Sequence, residues 1–192
     1  MAGLERVSAP AVEPLSLAEA RLHLRLDTDA EDGLVAALIL AARQMAEAHL
    51  GRALIRQGFR LWLDRWPPGR RAVDLPRPPL FEVSAVTGFD EDDTPHVLDP
   101  GTWLADRVAT PGRLVLRAGT ATPSPGRCVN GLVVDYTAGY GNAGADVPEP
   151  IRRGMALLVG HLFESREAGG EGLRPLPLGV EALWAPYRVV RL

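Results

Sequence analysis

The apolar period changes twice along this chain, and each change rules out a fold of one class. Between residues 34 and 46, Leu34, Val35, Leu38, Ile39, Ala42, Met45 and Ala46 recur at three- and four-residue steps, the spacing of one helix face. At Phe59, Leu61 and Leu63 the step becomes two, as in a half-buried strand, and the run ends at Trp66, Pro67 and Pro68. Ile151, Met155, Leu158, Leu162 and Phe163 return to the helical step. The pattern predicts an α+β chain with two N-terminal helices and one long C-terminal helix. These form a helical core at 14–56 and 146–168, with an inserted antiparallel β-rich region at 57–137 and an extended C-terminal tail.

Local signals place the ends of these elements. Ser16 and Glu19 have the spacing of a capping box, in which each side chain satisfies the other residue's backbone NH. They open a short helix through Leu24 with Leu17, Arg21 and Leu24 on one side. Thr28 and Glu31 repeat the spacing and are expected to open the long helix. Its acidic first turn, Glu31 and Asp32, suits the positive end of the helix dipole, and Gly51 and Arg52 close it. Ala36, Ala37, Ala41, Ala42, Ala46 and Ala48 permit close helix approach, either in internal packing, the favoured reading, or between subunits. Asp146 and Glu149 read as a third start, with Pro148 and Pro150 tolerated in a first turn whose NH groups lack intrahelical acceptors. Gly169 and Gly170 are expected to stop that helix. Strands are expected at 71–75, 82–89, 96–98, 113–116 and 128–137, separated by turns rich in Pro, Gly and Asp.

Composition removes several function classes. All 21 basic residues are arginine and the net charge is -3, too few concentrated cations for a dedicated DNA-binding surface. A near-neutral or acidic surface would let DNA pass without sticking. The single cysteine, Cys128, can neither form an internal disulfide nor make a zinc site alone. The first 14 residues lack the basic start and apolar core of a signal peptide, and no apolar run is long enough to span a membrane. His23, His49, His96 and His161 are dispersed, so no metal site is expected. Asp90, Glu91, Asp92 and Asp93 suggest calcium, but an EF-hand loop starting at Asp90 would need glycine and glutamate where Pro95 and Gly101 stand. A solvated hairpin turn is the better reading. No nucleophile elbow or Walker loop is present, so the chain reads as a non-enzyme without cofactors.

Gly139, Gly141 and Gly144 follow a strand-like run and satisfy G-x-G-x-x-G, which offers a nucleotide-binding enzyme as a competing reading. That motif needs a helix opening inside it, with its NH groups on a pyrophosphate, and an acidic strand end about 20 residues further on. Pro148 and Pro150 delay the helix, and residues 163–170 read as a helix end. Residues 138–144 are therefore expected to be a structural turn joining a strand to a helix.

The tail carries Val180, Leu183, Trp184 and Tyr187 at helical spacing, with Pro186 interrupting it. It is too apolar for a free terminus. Either it folds back onto its own core or it inserts into a partner, and insertion is the reading carried forward.

The order of PLSLAEARLHLRL at 14–26, an acidic opening and long helix at 29–51, VVDYTAGYG at 133–141, VPEPIRRGMALLVGHLFESRE at 147–167 and a Pro-rich tail resembles tailed-phage head-tail connector (adaptor) proteins of the gp6-like kind. The resemblance spans nearly the whole chain, least securely at 59–127, which looks like the β-rich insertion of longer members. It implies a single adaptor domain at 1–168, and a linker and portal-binding tail at 169–192. It further implies a homo-oligomeric ring of about twelve subunits between a portal protein and a tail-side stopper or terminator protein, with DNA passing through the lumen and no membrane. The chain would sit in the neck of a virion or a phage-like gene transfer agent particle, assembled in the bacterial cytoplasm. Val180, Leu183, Trp184, Tyr187 and Arg188 become portal-contact candidates, with Arg188 able to hold a carboxylate by two hydrogen bonds. Arg152 and Arg153, at the disfavoured positive end of their helix, become candidates for subunit or lumen contacts. A stopper or terminator is the neighbouring alternative.

Overall fold

Phe59, Leu61 and Leu63 point inward from one strand while Arg60 and Trp62 take the other face, as a period of two requires. That strand, β2 (Gln57–Leu63), lies in a β unit made of residues 1–10 and 56–140; a helical unit comprises 11–55 and 141–192. The computed structural model describes residues 2–164 and 176–189. Among them are four helices and two antiparallel sheets, so the chain is α+β.

The β unit opens with β1 (Ala2–Ser8) and continues through β2, β3 (Ala72–Leu75), β4 (Leu80–Phe89), β5 (Pro95–Val97), β6 (Trp103–Asp106), β7 (Gly112–Leu116) and β8 (Leu132–Ala138). A five-stranded sheet runs β1-β2-β8-β4-β5 and a three-stranded sheet β3-β7-β6. In register, Phe59 faces Tyr136, Leu61 faces Val134 and Leu63 faces Leu132, so the central pair is apolar on its inner side. The Phe59 and Tyr136 rings stack at 5.6 Å. The Tyr136 hydroxyl donates to the Pro76 carbonyl at 2.8 Å, and burial raises its pKa above the ordinary tyrosine value. The acidic stretch is a hairpin turn between β4 and β5. Asp90 accepts from the Asp92 and Thr94 NH groups and meets His96 at 2.9 Å, the His96 contact being the main reason its carboxyl lies below the usual range.

Two strands escaped the sequence reading. β1 carries no inward apolar side, its residues from Gly3 to Ser8 being exposed, so alternation has nothing to register. Backbone pairing with β2 holds it, helped by the Gly58 NH donating to Ser8 Oγ and Trp62 Nε1 donating to Glu5. β6 buries none of its four residues, so it too has no alternating inward side to register.

In the helical unit, α1 (Leu17–Leu24) starts with the expected box. Ser16 Oγ accepts from the Glu19 NH, and the Glu19 carboxylate accepts from the Ser16 NH at 2.8 Å. The second expected box is absent. α2 (Asp32–Leu50) has Glu31 at its N-cap with no side-chain hydrogen bond capping the helix, because residues 29–32 form a turn of their own, with the Asp32 NH donating to the Asp29 carbonyl. Gly51 ends α2 in the left-handed region, φ 69°, as expected. The third box is also absent. Asp146 closes a 3-10 turn and accepts from the Ala143 NH, whereas α3 (Glu149–Glu164) begins three residues later, its first turn accepted by the Pro148 carbonyl. Gly169 and Gly170 lie outside the described residues.

The inward arc of α2 also differs from expectation. Val35, Ile39, Ala42, Arg43, Ala46, Glu47 and Leu50 are buried, whereas Leu34 and Met45, assigned to the same apolar face, are exposed. Of the alanines, only Ala42 and Ala46 are buried. Two ionisable groups take interior places because they satisfy one another. Arg43 Nε donates to Glu13 at 2.7 Å and its Nη1 to Glu47 at 3.1 Å, while Glu47 Oε1 accepts from the Leu54 NH.

Candidate interaction surface

The C-terminal segment is built from a short helix, α4 (Leu178–Trp184), and a following 3-10 turn, Ala185–Tyr187. Val180 and Trp184 stand four apart and so share one face. Both are fully buried within the helical unit. The Trp184 indole NH donates to the Ile151 carbonyl at 3.1 Å in the first turn of α3, and its ring lies 5.8 Å from that of His49. Gly154 makes room for it, since a Cβ there would lie 2.2 Å from the indole nitrogen.

Beyond α4 the chain covers the end of α2. The Val189 NH donates to the Leu50 carbonyl at 2.9 Å, satisfying one of the acceptors a helix C-terminus leaves open, and Arg52 Nε donates to the Tyr187 carbonyl. The fold-back alternative for the tail is therefore realised for residues 178–189. Among the five portal-contact candidates, Val180 and Trp184 face inward, Leu183 and Tyr187 are half-buried, and Arg188 is exposed. The periodicity had correctly put Val180 and Trp184 on one face. What it could not reveal was the notch at Gly154, because a glycine inside a helix carries no mark of the ring that fills the space beside it.

Arg152 is also turned inward. Its Nε donates to the Pro14 carbonyl at 3.0 Å, one nitrogen pairs with Glu149 at 2.8 Å, and another pairs with Glu19. The Ser16 hydrogen bonds, with Arg152 adding to them, hold the Glu19 carboxyl below its ordinary range. Arg153 is exposed, and its charge adds to burial in lowering the pKa of His23. The two arginines are thus separated by environment: Arg152 ties α1 to α3, and Arg153 faces outward.

The glycine motif has a packing explanation at two of its positions. A Cβ at Gly141 would lie 2.1 Å from the Asp146 carboxylate, and one at Gly144 would lie 2.6 Å from the Pro14 carbonyl. A carboxylate laid over Gly141 repels a phosphate, and α3 begins after the motif instead of inside it. No group of three or more metal-ligating side chains occurs among the described residues, and none of their helices is long and apolar enough to cross a membrane. What the helical unit offers is surface. A groove of about 310 Å³ is lined by Met45, Ala48, His49, Leu176 and Glu181.

The model of the phage gp6-like head-tail connector family matches residues 14–80. No curated protein sequence matches the chain. Solved structures match nearly end to end. A chain from the virion of a native gene transfer agent (GTA) particle is 30% identical with a TM-score of 0.80, covering 98% of this chain and 96% of that one. A chain from the neck of an empty GTA particle computed with C6 symmetry gives 29% and 0.82, covering 99% and 97%. One from the neck of a native GTA particle computed with C12 symmetry gives 27% and 0.81, with the same coverage.

Proposed function

The chain belongs to the phage gp6-like head-tail connector family, and from that premise we propose that it is the adaptor ring in the neck of a phage-like particle. The observation that carries the reading is the end-to-end likeness to chains of gene transfer agent particles, which includes both the β unit and the C-terminal segment. The role is structural and geometric. About twelve copies close a ring between portal and tail-side stopper or terminator, as the C12 symmetry of a related neck supports, and DNA passes through the lumen. A net charge of -3 suits a passage that should not retain DNA. Gene transfer agent particles are favoured over other phage-like particles by the matches themselves.

The portal-facing part is the C-terminal segment, in a form adjusted to its packing. Val180 and Trp184 hold it against α3 from within, and Leu183, Tyr187 and Arg188 present the contact, with Arg188 available to a portal carboxylate. Arg153 remains the candidate for a lumen or neighbour contact, while Arg152 acts within its own subunit.

Light scattering on the purified portal ring before and after adding the chain tests this reading. A mass gain of about twelve chains supports the adaptor position. No gain, with both components folded, would move the chain to the stopper or terminator position.

A further inference from the structure

Helix α2 turns its charges inward along with one apolar arc and leaves a second apolar arc outside. Between Gly33 and Ala48 its only ionisable residues, Arg43 and Glu47, are buried, whereas Leu34, Leu40 and Met45 are 39%, 41% and 37% exposed. Ala36, Ala37, Gln44 and Ala48 share the outer surface. A surface helix ordinarily turns its charges to water. A stretch of about 24 Å without one outward charge is instead a face made to be covered. DNA would gain nothing there, because binding to it rests on cations that this face lacks.

Another copy of the chain has the matching parts. Leu22 on α1 is 81% exposed, and Arg25, three residues on, is exposed beside it. The groove at Met45, Ala48, His49 and Leu176 is apolar with one carboxylate, Glu181. These features lie at opposite ends of α2. Arg21 pairs with Asp32 at 3.4 Å and fastens α1 to the first turn, while His49 and Trp184 bring α4 to the last. A ring built head to tail needs two different complementary patches set apart in this way. The helix face measures roughly 250 Å², well below the ~800 Å² per partner of a stable pair, so it suits copies held twice over in a closed ring.

We infer that the outer face of α2 is the contact between neighbouring copies, with Leu22 of one copy seated in the Met45–Ala48 groove of the next and Arg25 opposite Glu181. This rests on the ring reading above and adds its lateral interface. The test is chemical cross-linking of the portal-bound chain carrying Leu22→Cys and Ala48→Cys in a Cys128→Ser background, with a short bismaleimide. The expected result is a ladder of multiples of the chain mass; a link inside one chain leaves a single-chain band. A complex of full ring mass that yields only single-chain bands would overturn this interface and leave the ring standing. Failure of the unmodified chain to add ring mass would remove both. In parallel, Leu22→Asp, with helix content unchanged, should raise the concentration for half-saturation of the portal at least about tenfold. Pairing Arg25→Glu with Glu181→Arg should assemble better than either alone. Unchanged assembly of Leu22→Asp would also overturn the interface.

Discussion

The β unit and helix α2 of the helical unit place their charges in opposite ways. In the β unit, Arg60 with Asp135, Arg113 with Asp106 and Arg127 with Asp93 pair in partly exposed positions, while β2 alternates its apolar residues inward. Its exposed valines, Val7, Val97, Val108 and Val129, are scattered over two edge strands and separate turns. The helical unit buries Arg43 and Glu47 and leaves Leu34, Leu40 and Met45 outside on one helix. A unit with charges outside is finished when it folds. A helix with its charges inside and an apolar face outside is finished when something covers it.

The largest test of the contrast is Trp184→Ala, which should destabilise the helical unit by about 3–5 kcal/mol through loss of a fully buried ring. Hydrogen exchange should show protection falling in the last turn of α2 and the first of α3 while β8 keeps its own. Equal loss in β8 would make the two units one cooperative system and break the comparison.

Breaking the interior ion pair should come next. Arg43→Ala leaves Glu47 buried without its cation and should cost about 3 kcal/mol, whereas Arg60→Ala, which breaks a half-exposed pair, should cost less than about 1 kcal/mol. Denaturant titration of both variants sharpens the contrast. Similar values would remove it.

Gly154→Ala should be milder. The added methyl forces the indole to shift at about 1–3 kcal/mol, and the better helix propensity of alanine offsets about 1 kcal/mol of that. Trp184 fluorescence should change with it, and an unchanged spectrum would mean that the ring is not held in the notch.

The smallest effect concerns pH. His23 has a folded pKa below its ordinary 6.5, because burial and then Arg153 disfavour the charged ring. Its stabilising effect is thus fully present above pH 6.5 and is lost as pH falls through the lower folded value. Melting temperature should fall slightly from about pH 7 to about pH 5, and His23→Gln should make that slope shallower. A steeper slope in the variant would reverse the sign assigned to His23.

Local signals were legible wherever the partner groups lie close in sequence. Ser16 and Glu19 form their box because both sit within one turn, and the strand at 57–63 declared itself by alternation. Thr28 and Asp146 had the right spacing but the wrong surroundings, since Thr28 stands before a turn at 29–32 and Asp146 ends a 3-10 turn ahead of the helix each was expected to cap. The candidate surface was half legible. The apolar spacing of Val180 and Trp184 was visible, but not that their own chain already covers them.

Sequence alone determined the two changes of period, hence the α+β class, together with the αL stop at Gly51 and the apolar character of the C-terminal segment, because these follow from residue types a few positions apart. Only the tertiary structure decided that β1 joins the sheet edge, that Arg43 and Glu47 go inside α2 while Leu34 and Met45 stay out, and that Trp184 fills the space beside Gly154. Each of those depends on partners at least 30 residues away in the chain or on the arc of a helix that distant elements choose to cover, as the 2.7 Å contact between Glu13 and Arg43 illustrates.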